Sequence, residues 1–343
     1  MLKKSLLIVV TLVAQTAGAW GFDGHRRLAK MMHEPLPASS CLAQWIAAQQ
    51  TSAFQDDACD PDRFRNTSDP SYDPNEWPRH YLEIDYAFPV QTYPRDFEEV
   101  KARYGARAEK NGVVPWHVEF MYQRLVEAFQ SKNTTQIKKT LAHLSHYITD
   151  AFSVLHNTKN FDPNGLHQRW ETDMLDSNAR LDTLSNRARL YFGTVGVAEP
   201  LRHTFEIVEV GNGLLIPLVN ADLEHPTDMT AFFNAVQELT ARRMGDALTL
   251  QASLIASAWV EAGRPRLSGM SNACETEVFE GTLALQGYPL PPPAPPEPDA
   301  APEEGASVLG DEPPLGCACS SNSNGLWLLG ALLSAIWFRK ARK

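Results

Sequence analysis

The sequence predicts an all-α protein, and three observations carry that reading. Apolar residues recur at three- to four-residue spacing over 114–129, 135–152 and 229–259, the period of a helix with one face in a core. No stretch alternates strand and helix patterns, as a parallel sheet would require. Neither a glycine-rich phosphate loop nor an internal repeat is present.

The elements follow in chain order. Residues 1–19 read as a signal peptide: Lys3 and Lys4, an apolar run over 6–13, then Ala17-Gly18-Ala19 as a small-residue cleavage site. The run is too short to cross a bilayer, which takes about 20 residues. Cleavage after Ala19 makes Trp20 the first mature residue, followed by Gly21-Phe22-Asp23-Gly24-His25. Residues 20–288 then form one domain, large enough to bury a substantial core. Within it, 81–86 is expected to be a short extended piece. The helix from 229 has a candidate cap in Thr227 or Asp228 and a stop in Gly263 and Pro265. Cys41 and Cys59 could pair in an oxidising compartment, while Cys274 has no obvious partner.

Residues 289–316 are dense in proline and read as a semi-rigid spacer. Residues 317–343 hold Cys317, Cys319, an apolar run over 326–338 and the basic end Arg339-Lys340-Ala341-Arg342-Lys343. This tail resembles myxobacterial C-terminal surface-sorting tails. The resemblance implies export, removal of the tail and attachment at the cell surface.

The net charge is −10, which argues against broad electrostatic binding of duplex nucleic acid. It does not exclude a phosphate substrate, because bound cations invert the local charge.

Candidate ligands gather in four places. In His143-Leu-Ser-His146-Tyr-Ile-Thr-Asp150-Ala-Phe-Ser-Val-Leu-His156, His146 and Asp150 lie one helical turn apart on one face and can grip one cation. His156 falls off that face and suits a neighbouring ion, and His143 reads as a packing or supporting residue. His167 and Glu171 repeat the i, i+4 pair. The other two places are Pro61-Asp62-Arg63-Phe64-Arg65-Asn66 with Arg79-His80-Tyr81, and Trp20 with His25. The set offers imidazole nitrogen and carboxylate oxygen without cysteine, the donors of an open zinc site. Clustered zinc ions suit phosphodiester hydrolysis.

Taken together, Trp-Gly-x-x-Gly-His at 20–25, Pro-Asp at 61–62, His-Tyr at 80–81, His-x-x-x-Asp-x-x-x-x-x-His at 146–156 and His-x-x-x-Glu at 167–171 resemble the zinc-dependent phospholipase C and S1/P1 nuclease superfamily. The match runs from Trp20 to about Gly263. It implies an all-α fold and three Zn2+ ions. One ion would be held by Asp62, His80, His146 and Asp150, and a second by His156, His167 and Glu171. The third would take the amino nitrogen and carbonyl oxygen of Trp20, with His25, while Asp150 bridges. Asp62 matches the family's proposed general base. Val154 stands where the family often has proline. Glu171 and the short His156–His167 gap lean towards the phospholipase C branch, with a phospholipid substrate and a possible membrane surface as partners.

Two other readings stand beside it. A nuclease acting on single-stranded nucleic acid would need aromatic stacking platforms, for which Trp116, Trp170, Tyr147 and Phe152 are candidates, although core packing is their ordinary use. A zinc-stabilised surface module without catalysis is the third. His117 is expected to be structural.

Overall fold

A computed structural model describes residues 20–270, 274, 277, 279 and 281–287. The segments expected to be a signal peptide, a proline-rich spacer and a sorting tail lie outside the described residues. All regular structure among the described residues is helical, apart from two isolated β-bridges, Thr194 with Ala284 and Val197 with Thr282. The all-α expectation therefore holds, in one compact unit. No helix among the described residues is long and apolar enough to cross a membrane.

The helices are α1 (Gly21–Met31), α2 (Cys41–Ala48), α3 (Ser52–Asp57), α4 (Asp60–Phe64), α5 (Phe97–Tyr104), α6 (Val114–Ser131) and α7 (Thr134–Phe152). There follow α8 (Leu166–Gln168), which runs into a π turn at Arg169–Asp173, then α9 (Asn178–Ala188), α10 (Pro200–Gly213), α11 (Leu215–Glu224) and α12 (Met229–Glu261). The segment expected to be extended differs. Tyr81 has extended dihedrals after the Trp77–His80 turn, but Glu83 does not, and Ile84–Tyr86 closes a second 3₁₀ turn. The Leu82 N–H reaches His156 O instead of a neighbouring strand.

Start and stop signals explain the long helices. Asn133 caps α7 by accepting from Gln136 N–H, and Asp228 caps α12 by accepting from Thr230 and Ala231. Between α6 and α7, Lys132 takes the left-handed conformation that ends a helix. Helix α12 passes through both apolar clusters of the domain. One gathers α6, α7 and Trp259; the other gathers Trp20, Trp170, α9 and the first half of α12.

The end of α7 is tied down with unusual thoroughness. The fully buried Arg243 of α12 donates to Phe152 O at 2.7 Å and Ile207 O at 3.0 Å. Asn157 donates to Ala151 O at 3.1 Å and Ser153 O at 2.8 Å. Those of Ala151, Phe152 and Ser153 belong to the end of α7, where a helix leaves carbonyls without partners. Gly211 of α10 lets Asn157 sit there, since a Cβ would lie 2.0 Å from Asn157 Nδ2. The turn carrying His156 is thereby fixed relative to Asp150.

The cysteine pairing is corrected. Cys41 is joined to Cys274, with Cα atoms 5.5 Å apart and a sequence separation of 233. Cys59 is a buried free thiol, pushed up to about 12 by burial. After α12 the chain returns to α2, where Trp45 Nε1 donates to Ser268 O at 3.0 Å. Cys41 faces that return, whereas Cys59 at the head of α4 faces Phe22 O of α1. Further along, Asp246 accepts from the N–H groups of Gln286 and Gly287 at 2.7 and 3.2 Å. A loop of this length has a large closure entropy, about 5 kcal/mol in the chain-entropy treatment. The double variant Cys41→Ser/Cys274→Ser is expected to lose up to that amount of stability and so to unfold at clearly lower urea concentration. An unchanged midpoint would contradict the tie's contribution.

Candidate metal centre

Helix α7 is the spine of the site. It presents His146 and Asp150 inward on one face, both fully buried. Helix α1 brings His25, whose ring stacks on His146 with centroids 3.9 Å apart. Helix α4 brings Asp62, and the Trp77–His80 turn brings His80. The turn after α7 carries His156, and α8 with its π turn carries His167 and Glu171. π turns of this kind recur at functional sites.

All eight candidate side-chain ligands converge. His25 Nε2 lies 3.3 Å from Asp150 Oδ1 and 4.0 Å from Asp62 Oδ2. His80 Nδ1 lies 2.7 Å from Asp150 Oδ2 and 3.9 Å from Asp62 Oδ1. His146 Nε2 lies 3.2 Å from Asp150 Oδ2 and 3.7 Å from Asp62 Oδ1. His156 Nε2 and His167 Nε2 lie 3.6 and 2.7 Å from Glu171 Oε2. Three groups have ligand atoms close enough to share an ion: His25, His146 and Asp150; Asp62, His80 and His146; His156, His167 and Glu171.

Trp20 is also beside them, through its indole. The ring is buried, donates from Nε1 to Thr149 O at 2.7 Å and packs 5.4 Å from Trp170. Gly24 permits this, because a Cβ there would meet Trp20 Cβ at 2.8 Å.

Outer hydrogen bonds decide which ring nitrogen faces inward. His146 Nδ1 meets Ala58 O at 2.8 Å, and His156 Nδ1 meets His80 O at 2.7 Å. A carbonyl only accepts, so both Nδ1 atoms carry the proton and both Nε2 atoms present lone pairs. His25 Nδ1 lies 3.0 Å from the Thr149 hydroxyl. Ser153 donates to Glu171 Oε1, leaving Oε2 for the histidines. Outer partners of this kind orient metal-binding histidines in general. The inner atoms His25 Nε2, Asp62 Oδ2, Asp150 Oδ1, His167 Nε2 and Glu171 Oε2 are buried without a hydrogen bond. Buried acceptors facing one another are costly unless a cation lies between them. The donor set and these orphaned atoms therefore fit zinc.

The electrostatics agree. Burial lowers His25 to about 3, with help from His146. For Asp62, burial alone would raise the pKa, but Arg65, His146, His25 and His80 hold it below the usual carboxylate range. His146 and His167 are opposed by burial, yet Asp150 with Asp62, and Glu171, respectively, raise them. Their neighbours thus favour positive charge at the places a cation would fill.

Arg65 is a residue to which sequence reasoning assigned no role. It is buried, donates to Asp62 Oδ1 and leaves its Nε without a partner. Thr149 and Ser153 act through contacts across the fold, which spacing does not reveal. Glu76, four residues before His80, has Oε1 3.2 Å from His80 Nε2 and accepts there from Tyr147 at 2.6 Å, so the i, i+4 spacing is its signal. His143 stands outside the cluster, 3.4 Å from Asp60. His117 packs edge-on against Tyr147 at 4.3 Å, and burial lowers it to about 3. Of the four aromatic candidates, Trp170, Tyr147 and Phe152 are buried in the core, and Trp116 packs on Phe205.

Fold and site define a helical protein with a buried histidine–carboxylate cluster that could hold cations. The chain matches no family model, and no curated protein is significantly similar to it.

Proposed function

We propose that this protein is a zinc-dependent phosphodiester hydrolase acting on phospholipid head groups. The observation that carries the reading is the cluster of inward histidine nitrogens and carboxylates, held from outside by hydrogen bonds to His146 and His156, in which His25 Nε2, Asp62 Oδ2, Asp150 Oδ1, His167 Nε2 and Glu171 Oε2 are buried without a hydrogen bond. The first ion would be held by Asp62, His80, His146 and Asp150, the second by His156, His167 and Glu171, and the third by Trp20, His25 and Asp150. Zinc, when bound, lowers the pKa of water and stabilises charge building on phosphate oxygens.

The chain's own groups supply the rest. Asp62 stays ionised beside Arg65, so its unpaired Oδ2 is the base that takes a proton from the attacking water. Arg65 keeps a free Nε–H for a phosphate oxygen. His167 is the most exposed of the ligands, so substrate enters on its side. There Phe161 stands edge-on to His167 at 6.2 Å, and Lys159 lies over Tyr86. Asp85 ties the two loops by accepting from Thr158 and Lys159. On the same loop as Tyr86, Phe88 is 96% exposed. Apolar and cationic groups at this rim suit a lipid head group. Stacking platforms for bases are less well supplied, since three of the four aromatic candidates are in the core.

The test is a paired assay on zinc-loaded protein, with phosphatidylcholine vesicles and single-stranded DNA. Release of phosphocholine, abolished by His146→Ala, is the expected result. Digestion of DNA without lipid turnover would transfer the reading to the nuclease branch. Zinc uptake with neither activity would make the protein a binding module.

A further inference from the structure

We propose that Thr149 is a positioning residue that makes His25 a ligand and couples it to Trp20; this rests on the zinc reading above. Thr149 is fully buried on α7, one residue before Asp150. Its hydroxyl carries one proton and accepting lone pairs. The oxygen lies 2.8 Å from His146 O, which only accepts, so the hydroxyl proton goes there. The side of the oxygen facing His25 Nδ1, at 3.0 Å, must then accept. His25 Nδ1 therefore carries hydrogen, and Nε2 is left as a lone pair 3.3 Å from Asp150 Oδ1.

The same residue holds the start of the domain through its backbone. The last turn of α7 tightens, with Ser153 N–H donating to Asp150 O at 2.9 Å. That leaves Thr149 O to the Trp20 indole, at 2.7 Å. Side chain and carbonyl of one residue thus set two residues proposed for the third ion, while its hydrogen bonds reach those proposed for the first ion only at the His146 carbonyl and none proposed for the second.

The experiment compares Thr149→Val, Thr149→Ser and wild type, all cut at Trp20, by zinc titration against a competing chelator and by the absorption bands of Co2+-substituted protein. Valine keeps the shape and the carbonyl but cannot accept from His25. One ion is expected to weaken by about 10- to 100-fold, the usual effect of removing an outer partner. The remaining ions keep their affinity, and serine restores the lost one. Equal weakening of all ions, or failure of serine to rescue, would mean a merely structural role and overturn the proposal. Unchanged affinity in Thr149→Val would overturn it as well. A wild-type protein that takes up no zinc would overturn the metal reading, and the role of Thr149 with it.

Discussion

Asp150→Asn is expected to cost about 10³-fold in phosphodiesterase activity, the equivalent of about 4 kcal/mol of transition-state stabilisation. Asp150 has contacts in every part of the cluster. Oδ1 faces His25 at 3.3 Å, and Oδ2 faces His80 at 2.7 Å, His146 at 3.2 Å and His156 at 3.9 Å. Asparagine keeps the volume and one oxygen but loses the charge, and it turns an NH₂ group towards histidine nitrogens that need to accept nothing but a cation. Zinc content by elemental analysis should fall by more than one ion per chain. The gain in melting temperature on adding zinc should shrink accordingly, because that gain is the binding free energy of the folded state. Normal zinc content with full activity would remove Asp150 from the centre and the trinuclear arrangement with it.

The second large effect concerns the bond between Ala19 and Trp20. A protein that retains its leader is expected to carry one ion fewer and to lose activity by about 10²-fold or more. In the uncut chain the Trp20 nitrogen is an amide, which is a poor ligand. Once cut it is an amine with a pKa of about 7.7–8.0, which zinc can deprotonate near neutral pH. The indole clamps on Thr149 O and Trp170 fix residue 20, so an end one residue away would put the amine in the wrong place. Mass spectrometry of the mature N-terminus and zinc content of the same sample test this together. Full activity with any other first residue would refute it.

Much of the fold was legible in the sequence. Helices α6, α7 and α12 lie within two residues of the expected bounds, because periodicity, Asp228 and Gly263 act locally. The candidate ligands were legible as residue types at fixed spacing, and their convergence on α7 is a property of the fold. What supports them was not legible. Ala58 O and His80 O bear on His146 and His156 as backbone atoms, which no residue type announces. Cys41 and Cys59 face different helices, and the Cys41–Cys274 bond depends on where the chain returns after α12, which no local pattern announces. The segment 81–86, expected to be extended, bends in a 3₁₀ turn after lending Leu82 N–H to His156 O, a contact across the fold.

The clasp of Asp246 on Gln286 and Gly287, with the Cys41–Cys274 bond just before it, also has a mechanical meaning. Any pull arriving along the chain from beyond Gly287 meets the middle of α12 first, then a covalent link to α2. Load is thus taken up by α12 and α2, neither of which carries a candidate ligand.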